Sequence, residues 1–95
     1  MMDMTELIEA INQIEKPLLV RITKVTYELV NEPGNNRLVD VNDFCNVLHN
    51  KEDAMATLFD ADIFGWNIRS VDWCNSSCSN GDPWMVLEVT LFKTN

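Results

Sequence analysis

The sequence predicts a single α+β domain over residues 1–95, in the order helix-strand-strand-helix-strand-strand. Two apolar stripes at helical spacing lie at the start and in the middle of the chain, and a β-branched or aromatic stretch broken by turn-forming residues follows each. The simplest packing of these elements is a four-stranded antiparallel sheet with both helices on one face. The other face of that sheet would then be open to solvent or used for contact.

The first helix is predicted from residue 3 to about residue 16. Asp3 and Glu6 have the spacing of a capping box, and Pro17 ends the helix because its ring excludes a helical continuation. The apolar positions of this segment form one stripe: Met4, Leu7, Ile8, Ile11 and Ile14.

The first hairpin is predicted from strands over residues 18–30 and 37–41, joined by a turn over residues 31–36. The alternation of apolar residues in the first strand changes phase between Ile22 and Val25. A one-residue β-bulge produces such a change, and so does a strand that is buried on both faces at one end.

Asn42 or Asp43 is placed to cap the second predicted helix. Charged residues interrupt its apolar face near Asn50, where we expect a break between a short first segment and a longer second one. Gly65 stands where a helix-ending glycine is expected. The apolar face comprises Phe44, Leu48, Met55, Leu58, Phe59 and Ile63.

The second hairpin is predicted from strands over residues 66–74 and 84–92, with residues 75–83 as the linker. Gly81 and Pro83 are expected to stop regular structure in that linker. One face of the last strand is the expected core face: Met85, Leu87, Val89 and Leu91.

The charge balance restricts the classes of partner. Fifteen acidic residues stand against seven basic ones, which gives a net charge of -8. Direct binding to phosphate backbones is therefore disfavoured, whereas docking on a basic protein surface is compatible with the charge. Acidity that only maintains solubility is the alternative. The acidic N-terminus and odd cysteine count favour a cytoplasmic protein, and no apolar run is long enough to span a membrane.

Every cysteine and the single histidine fall into two pairs, Cys45-x3-His49 on the second predicted helix and Cys74-x3-Cys78 at the hairpin turn. Three thiolates and one imidazole could complete a tetrahedral structural zinc site. Ordinary reduced cysteines are the alternative, as is a disulfide between Cys74 and Cys78.

Asp53 and Asp60 are seven residues apart and share one helix face, at a rise of about 10 Å. Spaced carboxylates on a rigid helix can imitate a phosphate backbone, and a solvated helix face is the alternative. Asp60-x-Asp62 is a weak magnesium pattern because no third ligand is fixed. Further acids that could extend the surface are Glu52, Asp62, Asp72 and Asp82.

Tryptophan is frequent for a chain of this size, and an exposed Trp84 could anchor a partner. The alternative is that Trp66, Trp73 and Trp84 belong to the core. Catalysis is not predicted, because the three glycines are isolated and no oxyanion-hole pattern accompanies the cysteine–histidine pair.

The function that these features favour is a small acidic inhibitor without a cofactor. It would occlude the basic, nucleic-acid-handling surface of a partner protein such as a nuclease. In size and charge the chain resembles anti-CRISPR proteins, which are viral, and nuclease immunity proteins, although no motif of a named family is present. The alternatives are a zinc-stabilised structural or adaptor domain and a homodimer formed through a sheet edge or the face with Trp84 and Phe92.

Overall fold

The computed structural model describes residues 2–79 and 82–94, without the side chains of residues 42, 74–79 and 82–84. The chain is of the predicted α+β class with two helices. Neither helix in the described ranges has the length and apolar content needed to cross a bilayer. The elements are α1 Met4–Asn12, β1 Leu18–Glu32, β2 Asn35–Leu48, α2 Lys51–Ile63, β3 Asn67–Ser79 and β4 Asp82–Thr94.

The sheet is mixed, and the prediction of an all-antiparallel sheet is wrong. Its strand order is β2-β1-β4-β3, with each hairpin antiparallel and the central β1–β4 pair parallel. β2 and β3 consequently run in the same direction at opposite edges. The chain must return along the sheet between them, and α2 makes that crossover.

The core forms where the two central strands meet beneath the helices. Val20 pairs with Leu87 and Ile22 pairs with Val89, and all four side chains are buried. The predicted core face of the last strand is thereby confirmed. The core cluster comprises Met4, Leu7, Ile11, Leu18, Val20, Ile22, Ala54, Leu58, Ala61, Leu87, Val89 and Leu91.

The phase change in β1 arises from burial on both faces, not from a bulge in that strand. The register shifts where Thr26 pairs with Asn42 and Tyr27 pairs with Asp40, so the extra residue, Val41, lies in β2. β1 therefore alternates without interruption, and Val25 is buried on the face away from the helices.

The predicted first segment of the second helix is wrong, because residues 44–48 belong to β2. α2 begins at Lys51, and Asn50 is its N-cap; its side-chain oxygen accepts a hydrogen bond of 2.8 Å from the backbone N–H of Asp53. The break that was expected near Asn50 is thus the start of the helix. Gly65, at φ +86°, follows its end as predicted.

The buried side of α2 agrees with the prediction at Leu58 and Met55 but differs from it at Phe59 and Ile63. Ala54, Leu58 and Ala61 face the core, whereas Phe59 and Ile63 are 59% and 65% exposed. The two bulky residues Phe59 and Ile63 therefore lie on the exposed side of the helix, whereas Leu58 is the bulky residue on its buried side.

Lysines from other elements satisfy both helix C-termini, since neither helix has a basic residue in its last turn. The Lys51 ammonium donates to the carbonyls of Asn12 and Ile14, each at 3.0 Å. Lys93 donates to the Phe64 carbonyl at 2.8 Å. α1 ends at Asn12, before the predicted limit, and the carbonyls of Asn12 and of Ile14, just beyond the helix, bind the first residue of α2. The predicted cap of α1 is present, because Asp3 accepts from the backbone N–H of Glu6 at 2.8 Å.

The second hairpin is longer than predicted. β3 reaches Ser79 and β4 starts at Asp82, so both strands run into the predicted linker. Pro83 was expected to stop regular structure, but it lies within β4. This part of β4 precedes the residues that pair with β1, and it faces a register shift in β3. A proline is tolerated there because that ladder is irregular. Gly81 lies outside the described residues.

We expect Lys51→Met to lower the free energy of unfolding by about 1–2 kcal/mol, because two carbonyls at the C-terminus of α1 lose their charged donor. Urea denaturation would measure the change. Lys16→Met is the matched control, since it removes the same charge from an exposed residue outside the helices. An equal loss in both variants would mean that net charge, rather than the contact with α1, sets the stability.

Adjacent residues of α2 provide a test of its orientation. Leu58→Ala should cost about 2–5 kcal/mol because the side chain is fully buried, whereas Phe59→Ala should change stability by about 0.5 kcal/mol or less. Thermal and urea unfolding of the two variants give the comparison. A larger cost at Phe59 would contradict the observed helix rotation.

Candidate functional site

The four acids predicted to bind a partner on the second helix are all exposed on α2: Glu52, Asp53, Asp60 and Asp62. At about 100° per residue, Asp53 and Asp60 lie within about 20° of each other around the helix. Asp62 lies about 160–180° away from both, on the opposite flank. Asp53 and Asp60 therefore share one flank of α2 and Asp62 lies on the other, while Glu52 lies between the two flanks, about 80–100° from each.

Exposed apolar residues separate the two acidic flanks. Ala56, Phe59 and Ile63 follow the line opposite the buried residues, and all three are exposed. We call this line and its flanking acids the α2 outer face: Glu52, Asp53, Ala56, Phe59, Asp60, Asp62 and Ile63.

The spacing of the buried residues could have predicted which side of α2 faces the core, but the stripe of bulky apolar residues indicated a different side. Ala54, Leu58 and Ala61 are themselves spaced four and three residues apart, as on a face that packs closely. Bulky apolar residues occur on both sides of α2, so hydrophobic periodicity could not choose between them. Phe64, which caps the helix C-terminus, adds a third bulky residue that is 68% exposed.

The remaining acids and tryptophans do not join the α2 outer face. Asp72 pairs with Glu88 in the sheet, on the face opposite the helices, since its neighbours in β3 pair with buried core residues. Trp66 is half-buried against the core, and Trp73 is 43% exposed on β3. The side chains of Asp82 and Trp84 lie outside the described part of the structure.

Most basic residues are engaged away from α2. Arg21 binds Glu88 at 3.3 Å and Arg37 binds Glu32 at 3.5 Å, each as an exposed ion pair. The Arg69 guanidinium lies 5.5 Å from the centre of the Tyr27 ring.

Two lysines lie over the ring of Trp66. The ammonium groups of Lys24 and Lys93 lie 5.4 and 5.9 Å from the centre of its ring. Lys51 and Lys93, at the two ends of α2, bind backbone carbonyls. Within the described residues, no base forms an ion pair with any of the four acids of α2.

The premise of the zinc hypothesis is wrong, because Cys45 lies in β2 and His49 follows that strand, so they are not one turn apart on a helix. Cys74 is in β3, at the opposite edge of the sheet. Three strand spacings, about 14 Å, separate these edges, which is too far for one tetrahedral site. The side chains of Cys74 and Cys78 lie outside the described residues, so their own pairing stays a prediction.

The magnesium pattern of Asp60 and Asp62 gains no support from the geometry. Asp60 and Asp62 diverge by about 160° around α2 and cannot converge on one magnesium ion. Among the described side chains, no group of three or more His, Cys, Asp or Glu is close enough to hold a metal ion.

Comparison of the chain with known proteins gave no matching family model, no matching curated protein and no matching solved structure. The chemistry of the exposed surface is therefore the basis for assigning a function.

We expect the purified protein to contain no stoichiometric zinc and to keep its melting temperature when a chelator is added. Elemental analysis and thermal unfolding measure these quantities. Cys45 is exposed in β2 and should react with a thiol reagent in the folded protein, with or without added zinc. Protection of Cys45 by zinc, together with a melting temperature lowered by the chelator, would restore the zinc-stabilised alternative.

Proposed function

We propose that the chain is a stoichiometric binding protein, rather than an enzyme, that uses the α2 outer face to occupy the basic surface of a partner protein. One observation carries the proposal: the exposed carboxylates of α2 have no basic partner within the described residues. A net charge of -8 favours encounter with a cationic surface, and opposite charge raises association rates.

The proposed partner is a protein that handles nucleic acid, such as a nuclease. Asp53 and Asp60 project from the same side of a rigid helix at a rise of about 10 Å, which is about three times the axial spacing of phosphates along one DNA strand. A cleft that binds phosphates with lysine and arginine would accept such carboxylates. The bound chain would then exclude the nucleic acid by occupying its site, as inhibitors of the anti-CRISPR and immunity-protein kind do.

Asp60 is the sharpest position at which to test this proposal. Asp53 accepts a hydrogen bond of 2.9 Å from the Asn50 side chain at the helix start, so a change there would also weaken α2. Asp60 lies in the last turn, where a lysine is favourable toward the helix dipole. Asp60→Lys therefore reverses a charge on the proposed surface without weakening the helix.

The experiment is a pull-down from cells that produce the protein, followed by affinity measurement with the captured partner at low and high salt. We expect Asp60→Lys to bind at least about tenfold more weakly at low salt, chiefly through a slower association rate. Asp72→Lys is the matched control, because it makes the same charge change on the other face of the sheet. It also places a lysine opposite Glu88, which preserves the fold.

Equal effects of the two substitutions would contradict the proposed surface, because net charge alone would then explain binding. A captured partner with an acidic or neutral contact surface would contradict the proposed partner class.

A further inference from the structure

Four positions of the α2 outer face lie along the line that would meet a partner helix, and two of them, Phe59 and Ile63, carry bulky apolar side chains. Successive positions along it are separated by four, three and four residues, from Glu52 through Ala56 and Phe59 to Ile63. This is the spacing of the a and d positions, which meet a partner helix along one line. Ala56 and Ile63 then occupy a positions, and Glu52 and Phe59 occupy d positions.

The acids fall at the positions that flank such a seam. With Ile63 at a, Asp53 and Asp60 occupy e positions and Asp62 occupies a g position. Asp62 points away from the other two because it lies on the opposite side of the same seam. Acids on both sides of α2 therefore flank the same seam.

The buried residues of α2 occupy the remaining side of the heptad. Ala54 and Ala61 take f positions and Leu58 takes a c position, opposite the seam, and all three face the core of this domain. Folding of the domain therefore leaves the a and d positions unused, with Phe59 and Ile63 more than half exposed.

We propose that the α2 outer face binds a basic amphipathic α-helix of the partner, with apolar residues on its own seam and Lys or Arg at its flanking positions. This inference rests on the proposed function and specifies the partner's chemistry. Charge decides between possible occupants: a second copy of the chain would place acids against acids, whereas a basic helix pairs each flank with opposite charge. A surface that only replaced phosphates would have no use for Phe59 and Ile63.

The contact is short, because α2 has 13 residues and spans about 20 Å. Two bulky residues and three flanking acids correspond to a weak, rapidly exchanging interface. Binding should therefore depend on both the apolar seam and the charges.

The test uses synthetic peptides of about 21 residues, three heptads each, as probes. The first has Leu at a and d and Lys at e and g; the second has the same composition in scrambled order. The third keeps the Leu seam and has Glu at e and g. Titration calorimetry with the whole protein should give at least about tenfold tighter binding of the first peptide than of the other two.

Two double variants separate the seam from the charges. Phe59→Ser with Ile63→Ser should abolish the preference for the seam peptide over its scrambled form, while weak salt-dependent binding of both basic peptides remains. Asp60→Lys with Asp62→Lys should weaken binding of both basic peptides. Both pairs are exposed, so a urea midpoint no lower than that of the unmodified protein is expected and confirms that the fold is intact; the two lysines of the second variant should raise it, because they lie in the last turn of α2.

Equal binding of the ordered and scrambled basic peptides would overturn the helix proposal, and so would a preference that survives the change of Phe59 and Ile63. Tighter binding of the Glu peptide would also overturn it. None of these results decides the proposed function, which stands or falls on the comparison of Asp60→Lys with Asp72→Lys against the captured partner.

Discussion

The parallel contact between β1 and β4 is the constraint on which the rest of the structure depends. It joins two hairpins over ten paired positions and buries the most apolar side chains of each, such as Ile22 and Val89. A two-stranded hairpin is marginal in water, so neither hairpin would be stable without this contact. Because the paired strands are parallel, the outer strands run in the same direction. A crossover along the sheet is then required, and α2 must lie over the core.

The rotation of α2 about its own axis determines which of its side chains are exposed. Ala54, Leu58 and Ala61 face the core, and the lysines at 51 and 93 bind carbonyls at the ends of the two helices. The helix is thereby fixed in rotation as well as in position. Ala54, Leu58 and Ala61 occupy the side of α2 that faces the core, so Phe59 and Ile63 lie on the exposed side.

Local patterns in the sequence predicted the order of elements, the apolar stripe of α1 and the core face of β4. Each of these features needs only one period of apolar residues and one buried side of the element. They could not predict the pairing of β1 with β4, since a strand's alternation does not reveal its neighbour. Phe44 and Leu48 suit a helix by spacing, yet Leu48 pairs with Val20 in the sheet. The many Asn, Asp and Ser residues of β2 and β3 were an unused signal, because polar strands suit the edges of a sheet.

The acids of α2 differ in what they do for the helix itself. Glu52 and Asp53 lie in the first turn, where carboxylates interact favourably with the helix dipole, so fold stability accounts for them. Asp60 and Asp62 lie in the last turn, where each carboxylate costs about 0.3–1 kcal/mol if it is unpaired. No described base forms an ion pair with either one. The stability of α2 therefore does not account for Asp60 and Asp62, whereas the proposed contact with a cationic helix would give both a role.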